Sequence, residues 1–170
     1  VLRKTGMEIG PRPELKPWRE FLAHMQNAKD TVRIGLVGKY VELQDAYKSI
    51  NEALFQAATY NNRKLDLQYI HSEKLTESNV EEKLSSMDGL IIAPGFGQRG
   101  VEGKFVALKY AREHDVPTFG ICLGMQCMVI EYARDVLGYK DANSTEMDVN
   151  TPHNVIDLME SQKCISNMGG

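Results

Sequence analysis

Cys122 stands in Gly120-Ile121-Cys122-Leu123-Gly124, a nucleophile elbow with sulfur in place of the usual hydroxyl. Flanking glycines let a strand and a helix approach closely around a strained nucleophile. The side chain then stands above the sheet at a helix N-terminus, whose dipole favours a thiolate. In such a turn the amide of Leu123 faces the position where an oxyanion forms. A second glycine-rich stretch, Pro94-Gly95-Phe96-Gly97-Gln98-Arg99-Gly100, suits a loop whose amides turn toward a phosphate or an oxyanion. It makes Gly95 the candidate for a second oxyanion donor. A third, Gly38-Lys39-Tyr40, lacks the spacing of a phosphate loop. It reads as a structural loop leading into a helix, with Asp45 as N-cap.

The remaining chemistry-bearing residues read blandly. Cys127 falls five positions past Cys122 on the expected helix and reads as buried packing, and Cys164 sits among polar residues. Three cysteines at these spacings form neither a disulfide framework nor a metal pattern, so no metal is expected and a reduced, cytoplasmic setting is. His24, His71 and His114 read as surface or packing residues. Downstream of Cys122 only His153 remains, with no Glu two residues on.

These residues need a frame that sets them at one edge. Val32–Val37, Leu65–Ile70, Leu90–Ala93 and Pro117–Ile121 read as strands, with a last one at Val155–Met159. Between them lie helical patterns at Ala46–Tyr60, at Thr76–Leu84 with Thr76 as N-cap, and at Val101–His114. Met125, Val129, Tyr132 and Val136 define the face of a further helix after the elbow. Strands alternating with helices predict an α/β fold, an open, mostly parallel sheet with helices on both faces. Ligands then sit at the carboxyl ends of the strands, where the glycine turns fall. Residues 1–30, with Pro11, Pro13 and Pro17 among charges, read as an interdomain linker carrying a short amphipathic helix, and 31–170 as the domain.

The 170 residues carry 42% hydrophobic and 25% charged side chains, which suffices for a packed core. A net charge of −3 offers no basic footprint, so neither nucleic acid nor an anionic membrane is expected as partner. Apolar runs such as Leu90-Ile91-Ile92-Ala93 are far too short to span a bilayer.

From Val32 onward the chain resembles the class I glutamine amidotransferase domain of the CTP synthase family, a flavodoxin-like fold. The likeness lies in Gly38-Lys39-Tyr40 with Asp45-Ala46-Tyr47-Lys48-Ser49, the glycine loop, Gly120–Gln126, and Ala142-Asn143-Ser144-Thr145-Glu146. The resemblance implies a glutaminase that attacks glutamine through Cys122 and forms a thioester. It assigns the oxyanion to Gly95 and Leu123, and glutamine binding to Gly95, Phe96, Leu123, Gly124, Met125, Gln126 and Glu146. It further implies that the ammonia serves an ATP-dependent conversion of UTP to CTP in the chain's own synthetase domain. ATP and Mg then belong to that domain, which is absent here, and none of the cofactors to this one. GTP is the implied allosteric activator and a homotetramer the implied assembly. The family completes a triad with His and Glu two apart, and no such pair follows Cys122. The expectation is therefore a domain whose C-terminal part is missing and which is inactive by itself. The alternative is a catalytically silent glutamine-binding or regulatory module.

Overall fold

The computed structural model describes residues 2–8, 10–11 and 13–159, so Cys164 lies outside the described residues. Four strands, β1 (Asp30–Gly38), β2 (Arg63–His71), β3 (Gly89–Ile92) and β4 (Thr118–Gly120), form one sheet in the order β2-β1-β3-β4. Every pairing in it is parallel. β1 carries the apolar run predicted for a strand buried on both sides, and Leu36 and Val37 are fully buried in it.

Alternation along the strands splits the core in two. Val37, Leu90 and Ile92 join residues of α3 (Val80–Leu84), α4 (Val101–Glu113) and α5 (Leu123–Asp135) on one face. Leu36 and Ile91 meet Tyr47 and Ile50, from a short 3-10 turn (Gln44–Tyr47) and α2 (Lys48–Tyr60), on the other. Helices thus cover both faces. The amphipathic helix expected in the first 30 residues is α1 (Lys16–Asn27); it lies on α2, and His24 Nδ1 is 2.6 Å from Asn62 Oδ1. Two further strands, β5 (Asn143–Ser144) and β6 (Asn154–Ile156), pair with each other outside the main sheet.

Three local expectations are corrected. Thr76 is not an N-cap: its amide donates to Asn79 Oδ1 at 2.9 Å, a turn forms, and α3 starts only at Val80. Asp45 lies inside the 3-10 turn, and Tyr47 occupies the cap of α2 without a side-chain bond. On α5 the inward face is Cys127, Ile130 and Ala133, whereas Met125, Val129, Tyr132 and Val136 are all exposed. Small residues let α5 settle closely on α4, and that contact outweighs the larger apolar stripe.

Candidate active site

β4 ends at Gly120 and α5 begins at Leu123, so the turn between them holds two residues. Cys122 adopts φ 53° and ψ −112°, a region that costs a side-chain-bearing residue on the order of 1–3 kcal/mol. The glycines explain how the turn closes. A Cβ on Gly120 would come within 2.5 Å of the Gly124 carbonyl carbon, and one on Gly124 would overlap the Ile92 carbonyl. Ile121 N donates to Ile92 O at 3.0 Å, which anchors the turn to β3. Gln126 N donates to Cys122 O at 3.1 Å and starts the helix, leaving Leu123 at its first position, where amides have no intrahelical acceptor. The Cys122 side chain is exposed at the carboxyl edge of the sheet. Gln126 is half-buried and Met125 exposed in the same first turn.

The glycine loop leaves β3 next door. Gly95 lies against Leu123: a Cβ built on it would be 3.7 Å from Leu123 Cδ2. Phe96 is 81% exposed at the loop's tip. Gly100, at φ 77°, turns the chain into α4. Two lysines hold this loop. Lys104 Nζ, on α4 and fully buried, donates to Ala93 O at 2.6 Å. Lys39 Nζ, from the loop after β1, donates to Phe96 O. Burial pushes the Lys104 ammonium below its ordinary pKa; the Cys127 thiol opposes that fall, Lys39 adds to it and the Cys122 thiol opposes it.

Sequence reasoning missed both lysines. Gly38-Lys39-Tyr40, read as a structural loop, sits at the site. A signal for Lys104 existed: three residues after Val101 and four before Leu108, it falls on the inward face of α4.

The segment from Asn143 to Met147 reaches the glycine loop from the far side. Gln98 Nε2 donates to Met147 O at 2.5 Å, and Glu146 N to the buried Ser144 Oγ at 3.2 Å. The Glu146 carboxylate is exposed and has no ion pair among the described residues. Cys127 is fully buried and its thiol is pushed up to about 11 by burial, whereas Cys122 is exposed. Each histidine has a partner other than Cys122: His24 Asn62, His71 the Glu73 amide, His114 the Tyr110 carbonyl, and His153 Asp141 at 2.6 Å.

Comparison with known proteins gives this arrangement a family. Residues 42–166 match the family described as Glutamine amidotransferase class-I. The chain belongs to that family. Among amidotransferases it is 67% identical to a CTP synthase of Porphyromonas gingivalis and 65% identical to one of Bacteroides fragilis, in each case over all of this chain and 32% of the relative. It therefore spans about a third of the length of these curated relatives. A solved structure, the Trypanosoma brucei CTPS glutaminase domain with bound acivicin, superposes with a TM-score of 0.74 at 38% identity, covering 78% of this chain and 52% of that one. The expected open parallel sheet is thus the class I amidotransferase fold. Among the described residues no helix is long and apolar enough to cross a membrane.

Proposed function

We propose that this chain is the glutaminase part of a CTP synthase. Cys122 attacks the side-chain amide carbon of glutamine, and the amides of Gly95 and Leu123 receive the oxyanion. The carbon–nitrogen bond breaks, the proton lost by the thiol balances that gained by ammonia, and water hydrolyses the γ-glutamyl thioester. Gly95, Phe96, Leu123, Gly124, Met125 and Gln126 line the glutamine site, and the Glu146 carboxylate receives the substrate's ammonium. Residues 31–170 belong to the glutaminase domain, and residues 1–30 connect it to a synthetase domain that uses ATP, Mg and the ammonia to make CTP from UTP. GTP activates the first step. The full enzyme is a cytoplasmic homotetramer.

One observation carries this reading: a solvent-facing cysteine strained at φ 53°, at the head of a 13-residue helix, with Gly95 against its neighbour Leu123. The silent-module alternative draws on a different one, since the four histidines are engaged elsewhere. Acivicin and L-glutamine separate the two. The glutaminase reading expects slow acivicin labelling confined to the Cys122 peptide and suppressed by glutamine. Glutamine that protects against heat with no labelling at Cys122 would establish the silent module. Labelling that glutamine leaves unchanged would defeat both.

A further inference from the structure

Lysine is the largest side chain to be fully buried among the described residues, and Lys104 is that lysine. Burying an ammonium is costly unless its donors are used. Lys104 uses one on the carbonyl of Ala93, the residue at which β3 gives way to the glycine loop. Lys39 is 6% exposed and binds the carbonyl of Phe96, three residues further along. Between these two carbonyls lies Gly95. A Cβ on Gly95 would be 3.4 Å from Lys39 Cε and 3.9 Å from its Nζ, so the Lys39 stem packs directly against that residue.

We propose that Lys39 and Lys104 are the positioning residues of the oxyanion site, pinning the glycine loop at both sides of the Gly95 amide. The proposal rests on the glutaminase reading of Gly95 and adds to it the device that holds that amide in place.

The physical need is specific. A glycine-rich loop has many conformations of similar energy, and an oxyanion donor a fraction of an ångström out of place loses most of its effect. Carbonyl–ammonium bonds are charge-assisted, and in a dry interior they are stronger than bonds between neutral groups. They also come from two different elements, the loop after β1 and α4, so the loop's position follows the sheet and not its own torsions.

The test uses this chain with Lys104→Met and Lys39→Met, which keep the volume and remove the charge. Iodoacetamide alkylation of the Cys122 peptide, followed by mass spectrometry, reads the reactivity of the thiol without the glutamine site. Acivicin labelling reads the assembled glutamine site. We expect each variant to leave iodoacetamide alkylation close to the wild-type rate, because Cys122 is held by its own turn and not by the glycine loop. Acivicin labelling should fall by at least about 10-fold, because the loop is released. Unchanged acivicin rates in folded variants would overturn the proposal, and so would acivicin and iodoacetamide rates that fall in equal measure. Should Lys104→Met fail to fold, Lys39→Met, at the less buried position, decides by the same two readouts. A wild-type chain that alkylates normally but shows no glutamine-protected acivicin labelling would instead count against the glutaminase reading.

Discussion

The Arg112 guanidinium binds the Glu131 carboxylate through two nitrogens, Nε at 3.1 Å and Nη2 at 2.8 Å from Oε1, and so ties α4 to α5. The Glu131 side chain is 5% exposed and that of Arg112 32%, which makes the loss of the arginine the worse of the two. Arg112→Met should destabilise the chain by about 2–4 kcal/mol, since it strands a buried carboxylate, and Glu131→Gln by about 1–2 kcal/mol. Urea unfolding of both variants checks the order. An equal loss in the two would mean that the pair sits in water.

Two glycines near the site should respond differently to alanine. At Gly124 the added methyl overlaps the Ile92 carbonyl, so β3 and α5 must separate. Gly124→Ala is expected to cost at least about 3 kcal/mol and to abolish acivicin labelling. Gly97 has open space around it but sits at φ 70°, so Gly97→Ala should cost only about 1–2 kcal/mol, the penalty of a left-handed conformation. Thermal melts of the pair separate crowding from torsion.

Alkaline stability should depend on Cys127. Burial raises its thiol from an ordinary value near 9 to about 11. Below pH 9 the thiol is neutral whether the chain is folded or not. Between 9 and 11 the unfolded chain releases the proton and the folded one keeps it, so stability falls as pH rises, by up to about 3 kcal/mol. Cys127→Ala begins less stable because a methyl replaces a packed thiol, yet it should lose less between pH 9 and 11. Chemical denaturation at pH 8.5, 10 and 11 measures the difference in slope, and parallel curves would contradict it.

The outer face of α5 should tolerate charge. Val129 and Tyr132 are 39% and 50% exposed. Val129→Glu and Tyr132→Glu are expected to change stability by less than about 0.5 kcal/mol and to reduce self-association. Light scattering across a concentration series provides the check. A drop in melting temperature of many degrees would show this face to be covered.

Most of the frame was legible because its signals are local. Apolar runs mark β1, β2 and β3, and the spacing of Gly120 and Gly124 around Cys122 marks the elbow. What escaped depends on contacts between distant segments. The partner of Lys104 is a carbonyl on another element, and that of Lys39 a carbonyl 57 residues away. The orientation of α5 followed from close packing against α4, which favours Ala133 and Cys127 inward over the bulkier Tyr132 and Val129. Asn79 took over the first turn of α3 because its side chain reaches the Thr76 amide. Each of these is a choice between local options that only the assembled fold decides.

The strain at Cys122 has an evolutionary consequence. Glycine adopts positive φ without penalty, so Cys122→Gly relieves the turn and should raise stability by about 1 kcal/mol, at the loss of the thiol. A single base change connects the two codons. A copy of this gene released from its chemistry would thus gain stability by discarding the cysteine, and drift alone would carry it that way. The nucleophile therefore persists only where selection for turnover outweighs a standing thermodynamic bias toward its replacement.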